Sequence, residues 1–192
     1  MYTSDEITRN LAGAWQVMNG RPAGLAQLDN SIEGFWRSFG AIVLSVPVLV
    51  LVLLSQDRIA LDLEEPSGSV LPVPVQMSVW LVEWVLFPIV MAIVARPIGV
   101  ASHYVPFIVA RNWASVLIMA AYALPLLAYL AGIVPARGLL FIQFVILVVS
   151  GYFWFRIART ALLAPPGLAV AIVVADYGLS FMLYDVASAM VG

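Results

Sequence analysis

From residue 35 onward, long apolar runs alternate with short connectors that carry arginine, proline or acidic residues. A bilayer core of about 30 Å needs about 20 apolar residues of helix, because every backbone N–H and C=O must find its partner within the segment. Five stretches meet that requirement: Phe35 to Ser55, Pro74 to Ala95, Trp113 to Ile133, Leu139 to Ile157 and Gly167 to Ser188. The pattern predicts an all-α, polytopic transmembrane helix bundle of about five spans over residues 35–192. One stretch leaves the count open. Pro97 to Ala110 is apolar but short, and its Pro97, Gly99 and Pro106 suit an interfacial or re-entrant segment, an earlier start to the third span, or a sixth crossing.

Residues 1–34 follow a different pattern and form a separate cytoplasmic or interfacial segment. Thr3 and Glu6 have the spacing of a helix capping box, and Ile7, Leu11, Trp15 and Met18 recur at helical intervals, which predicts an amphipathic helix over residues 3–18. Arg21-Pro22-Ala23-Gly24 breaks it. The segment carries four acids against two arginines, so apolar burial rather than attraction to anionic headgroups has to hold it in place. Docking on the inner mouth of its own bundle is the favoured arrangement, with binding to a partner as the alternative. The polar, acidic opening MYTSDEITRN does not resemble a cleavable leader, so the first apolar run is read as an anchor.

Composition narrows the class further. Hydrophobic residues make up 63% of the chain and charged residues 10%, far from the globular average of roughly half and a quarter. A net charge of −2 without any basic cluster argues against nucleic acid as a partner, and the absence of cysteine removes disulfides and thiolate chemistry. All nine basic residues are arginine. With five spans and the N-terminus inside, Arg9, Arg21, Arg37, Arg96, Arg111, Arg156 and Arg159 fall on the cytoplasmic side and only Arg58 and Arg137 outside. The connector Gln56 to Val73, with Asp57, Asp62, Glu64 and Glu65, then lies on the far side. Trp36, Trp113 and Trp154 sit near inner helix ends and Trp80, Tyr129 and Tyr184 near outer ends, as interfacial anchors would. The expected location is a bacterial inner membrane, with lipids as partners and either a second copy or another membrane protein bound.

Few residues remain for chemistry. Glu83 in the second span and Asp176 in the fifth are ionisable groups inside the hydrocarbon, where an aspartate costs about 2.5–3.5 kcal/mol on an insertion scale. Facing one another or a shared water, they would form a proton or cation site. Otherwise Glu83 reaches the outer interface while a protonated Asp176 bonds a neighbouring helix. Gly167, Ala171 and Ala175 form a small-residue stripe on the fifth span that ends beside Asp176 and suggests that the aspartate faces protein. Arg37, Arg111, Arg156 and Arg159, beside interfacial aromatics, are candidate contacts for lipid headgroups. Pro47, Pro88 and Pro125 fall inside spans and favour kinks. With a single histidine, His103, and no G-x-x-x-x-G-K-S/T, H-E-x-x-H or G-x-S-x-G pattern, neither catalysis, a metal nor a cofactor is expected.

Ser31-Ile32-Glu33-Gly34-Phe35-Trp36-Arg37-Ser38-Phe39, Val109-Ala110-Arg111-Asn112-Trp113 and Tyr152-Phe153-Trp154-Phe155-Arg156-Ile157-Ala158-Arg159 resemble segments of small inner-membrane proteins of alphaproteobacteria that carry no assigned activity. The five-helix plan with a cytoplasmic N-terminal segment is also similar, in topology alone, to the Yip family of membrane proteins. The resemblances imply a bacterial membrane setting and no particular chemistry. The leading expectation is a non-enzymatic accessory, scaffold or lipid-organising component of a membrane assembly. The alternative is a small transporter or proton-coupled subunit that uses Asp176 and Glu83.

Overall fold

The computed structural model describes residues 2–64 and 70–191, and these are helical with no strand among them. Seven α-helices follow in order: α1 (Ser4–Met18), α2 (Ile32–Ser38), α3 (Ala41–Asp62), α4 (Val73–Val94), α5 (Tyr104–Leu130), α6 (Ala136–Ala161) and α7 (Pro166–Val191), with 3₁₀ turns at Pro22–Gln27 and Ala101–His103. Five helical stretches are long and apolar enough to cross a membrane, with α2 and α3 acting as one stretch. The outward faces agree: Val43, Leu54, Ile93, Phe141, Phe144 and Phe181 are exposed, as hydrocarbon solvation allows and water would not. The chain is a multi-pass membrane protein.

The element boundaries depart from the sequence reading in ways that matter. The stretch before the third span is neither a sixth crossing nor re-entrant. After a turn closed by the left-handed Gly99, the chain enters α5 at Tyr104, nine residues ahead of Trp113. The Tyr104 hydroxyl donates to the Pro88 carbonyl at 2.9 Å and pins this start against α4. α3 likewise runs a full two turns past Ser55, so Asp57 and Asp62 are helical rather than part of a loop. Arg58 lies one turn before Asp62, 4.0 Å away, and Tyr129 of α5 donates to Asp62 at 2.7 Å. Glu65, the last acid of that connector, lies outside the described residues. Pro47, Pro88 and Pro125 all sit inside continuous helices.

α5 is the hub. It packs against α1, α2, α3, α4 and α6, while α7 closes a four-helix ring by touching both α6 and α4. α3 leans on the outside of α5 and makes little contact with α4. The two hinge-like connections use helix-ending glycines: after α5, Gly132 adopts φ 74° and Ile133 N–H reaches back to the Ala128 carbonyl, while after α1, Gly20 adopts φ 71° and Arg21 N–H reaches Gln16.

Thr3 caps α1 by accepting from the Glu6 amide, as the capping spacing requires. The helix packs on α5 and α6 at the end of the bundle where α5 begins and α6 ends. Of the expected apolar face, Met18 is buried and Ile7 and Leu11 pack partly against the core, but small and polar residues complete the contact. Asn10, Gly13, Ala14 and Val17 turn inward with Met18, whereas Trp15 is more than half exposed and lies against Phe153. The reason is close approach. A side-chain carbon added at Gly13 would meet the Gly24 carbonyl at 2.9 Å, and one added at Gly24 would strike the Gly13 carbonyl, so the 3₁₀ turn can lie directly on α1. Ser31 caps α2 by accepting from the Gly34 amide, and the hydrogen bonds that Asp29 accepts from Ser31 hold its carboxyl below the ordinary range.

Gly24→Val should therefore lift α1 and the turn off the bundle, with a loss of about 1–3 kcal/mol from overpacking. Thermal unfolding and limited proteolysis between residues 19 and 31 would register it, while Ala12→Val, on the exposed side of α1, should leave both unchanged.

Candidate functional site

Inside the ring of α4, α5, α6 and α7, an Arg111 Nη donates to Asp176 Oδ1 at 2.7 Å, joining α5 to α7. Both side chains are nearly enclosed, at 12% and 10% exposure, so this is a buried ion pair rather than a surface one. Aromatic rings complete the enclosure. The guanidinium lies 4.4 Å from the centre of the Phe87 ring on α4 and 5.3 Å from that of Trp154 on α6, within cation–π range of both. Four helices thus converge on one cation.

The depth follows from helix geometry. Asp176 lies ten residues into α7 and Glu83 ten residues into α4, each about 15 Å along its helix at 1.5 Å per residue. Arg111 lies only seven residues into α5, and its long side chain makes up the difference. The sequence reading placed Arg111 at headgroup level beside an interfacial Trp113. Because α5 begins nine residues sooner, both residues sit deep in the fold, and Trp113 is buried with the Tyr2 ring edge-on at 5.2 Å.

Glu83 lines a cleft of about 150 Å³ together with Trp80 and Trp84 from α4, Arg111 and Ser115 from α5, Trp154 from α6 and Ser180 from α7. A second void of about 10 Å³ is bordered by both Glu83 and Asp176. It is at the lower limit of what one water needs. Sequence reasoning thus identified the two acids, and the fold brings them to one place. It missed their cation and their aromatic walls. The available signal was spacing: Trp80 with Trp84, Arg111 with Ser115 and Asp176 with Ser180 each repeat at i, i+4, marking a polar or aromatic stripe on one helix face.

The small-residue stripe on α7 is a second correction. Gly167, Ala171 and Ala175 are exposed, and the inward face is Ala169, Ile172 and Asp176. Asp176 does face protein, one helical step from the stripe rather than along it. Trp154 and Trp80, expected as interfacial anchors, line the cleft instead.

The other three candidate headgroup arginines are engaged by protein. Arg37 pairs with Glu6, and its carbonyl accepts from the Tyr2 hydroxyl, so α2 is tied to the N-terminus. Arg156 donates to the Asn19 carbonyl at 2.7 Å and to the Tyr152 hydroxyl, placing a cation at the C-terminal end of the α1 dipole. Arg159 donates to the Ala164 carbonyl at 2.7 Å and closes the turn after α6. Among the described residues, no group of three or more His, Cys, Asp or Glu is arranged to hold a metal ion.

Compared with known proteins, the chain matches no family model, no curated protein and no solved structure.

Removing one member of the buried pair leaves the other uncompensated in a medium that cannot solvate it. Arg111→Met or Asp176→Asn should each lower stability by about 3–5 kcal/mol, whereas Arg111→Met combined with Asp176→Leu should recover most of the loss. Thermal unfolding of the purified variants in detergent would measure this cycle.

Proposed function

We propose that this protein is a small proton-coupled membrane carrier in which Glu83 exchanges its proton beside a fixed Arg111–Asp176 pair. One observation carries the reading: two carboxylates and a single guanidinium come together within the four-helix ring beside a cleft lined by Glu83. With Glu83 ionised, the site holds one uncompensated negative charge. With Glu83 protonated, it is neutral. Hydrocarbon penalises the uncompensated state by kilocalories, so the site favours uptake of one proton or one cation, which is the elementary act of a coupled carrier. A purely structural ion pair needs no second acid and no cleft.

The arginine-rich end, where α1 docks, is assigned to the cytoplasmic side of a bacterial inner membrane. Support comes from the distribution of arginine, with Arg9, Arg21, Arg37, Arg96, Arg156 and Arg159 at or near that end and Arg58 and Arg137 at the other.

An accessory or lipid-organising role is the second reading, and a specific surface favours it. The apolar groove between α2, α4 and the start of α5, lined by Phe35, Trp36, Phe39, Pro88, Ile89 and Tyr104, and the exposed Gly167–Ala171–Ala175 stripe are both suited to a lipid chain or another helix. If the stripe joins two copies, Ala171→Cys in this cysteine-free chain should give an oxidised dimer in membranes, while Phe141→Cys on the exposed face of α6 should not. Gel electrophoresis after mild oxidation distinguishes them.

Three of the six tryptophans line the cleft, so proton exchange at Glu83 should appear as a single-group titration of tryptophan emission in lipid nanodiscs. That titration should vanish in Glu83→Gln and persist in Asp57→Asn, a substitution on the exposed surface of α3. A titration unchanged by Glu83→Gln, or none at all in the parent protein, would remove the carrier reading.

A further inference from the structure

We infer that the cleft at Glu83 is a binding site for a small organic monocation of the methylated-ammonium class, taken up in exchange for the Glu83 proton; this rests on the carrier reading above. The walls argue for the class. Trp80, Trp84 and Trp154 supply three indole rings around one carboxylate, and Trp80 and Trp84 stand edge to face with centroids 6.4 Å apart. Indole faces are the strongest aromatic partners for a cation, and a cage of such rings with a carboxylate is the recurrent solution for ammonium groups that cannot be recognised by strong hydrogen bonds.

Size narrows the guest further. A cavity near 150 Å³ accommodates benzene in another protein, which sets the guest at about six non-hydrogen atoms. Tetramethylammonium and choline are of that order.

Charge decides sign. The groups facing Glu83 are Arg111 from α5 and Asp176 from α7, while α6 presents Trp154. Arg111 does not repel a cation as a free guanidinium would, because Asp176 neutralises it at 2.7 Å and the Phe87 and Trp154 rings cover it. The uncompensated charge left for a ligand is that of Glu83. Ser115 and Ser180 add hydroxyls to the lining, so a small polar tail on the guest has groups to meet. A proton and an organic cation compete for one carboxylate: when the cation enters, the Glu83 proton leaves to solvent and the charge of the site is unchanged.

The test is calorimetry of tetramethylammonium chloride binding to the full protein in lipid nanodiscs. Measurements in two buffers of different ionisation enthalpy, at a pH where Glu83 is protonated, give the protons released. The expected result is saturable binding with about one proton released per cation. Affinity should fall about tenfold per unit of pH below the Glu83 titration, fall about tenfold in Trp84→Phe or Trp80→Leu, and be lost in Glu83→Gln. Choline should bind at least tenfold more tightly than 3,3-dimethylbutanol, its neutral isostere. Absence of binding, equal binding of the neutral isostere, tighter binding of glycine betaine than of tetramethylammonium, or binding that survives Glu83→Gln would each overturn the assignment. If tryptophan emission still titrates through Glu83 while no cation binds, the cation class alone fails. If the titration is missing as well, the carrier reading fails with it.

Discussion

In a bilayer a guanidinium is costly without an acceptor close at hand, so what surrounds Arg111 has to offset its charge. The carboxylate of Asp176 and the rings of Phe87 and Trp154 do most of this together, and they come from the three other helices of the ring. That convergence makes the ring of α4, α5, α6 and α7 more than a set of apolar rods, because apolar packing alone does not favour one helix order strongly over another in lipid. The buried pair gives the ring a register. Asp176 and Arg111 meet only when α5 and α7 are set at one height and one rotation, and that same setting brings Glu83 to the edge of the cleft.

The start of Arg111's helix explains the N-terminal segment. α5 begins well before the hydrophobic run that marks its core, and the extra two turns carry Phe107, Ile108, Val109 and Ala110, all buried. α1 and α2 pack against this extension, with Asn112 donating to Ser38 at 2.9 Å and Tyr2 set against Trp113. Arg37 and Arg156 then bind the segment from two sides, through Glu6 and through the carbonyl that ends α1. An arginine count that reads as a signal of orientation is also, residue by residue, a set of clasps. The two roles are compatible, since an arginine held at a helix end by protein acceptors still resists translocation.

Most of the architecture was legible in the chain. The approximate span number, the capped α1 and the prolines within spans all follow from composition, length and local chemistry, which act within a single helix. The errors share one origin. The start of α5, the length of α3, the exposure of Trp15 on α1 and the outward direction of the α7 small-residue stripe all depend on what another helix presents. Gly13 is a weak helix former in isolation and becomes the contact point only because Gly24 comes to meet it. Trp80 and Trp154 carry the same aromatic signal whether they face headgroups or an interior cation, and hydropathy assigns them to the interface.

Sequence alone determined that this is a helical membrane protein of about five spans with an amphipathic N-terminal helix, and it singled out Glu83 and Asp176, because an ionisable group in an apolar run costs energy wherever the run is placed. Only the tertiary structure decided that the two acids border one site, that Arg111 is the counter-ion of Asp176 and that tryptophans wall the cleft. Those facts are relations of height and rotation between helices far apart in the chain, and a linear pattern that repeats every 3.6 residues specifies the faces of one helix without specifying which face of another it will meet.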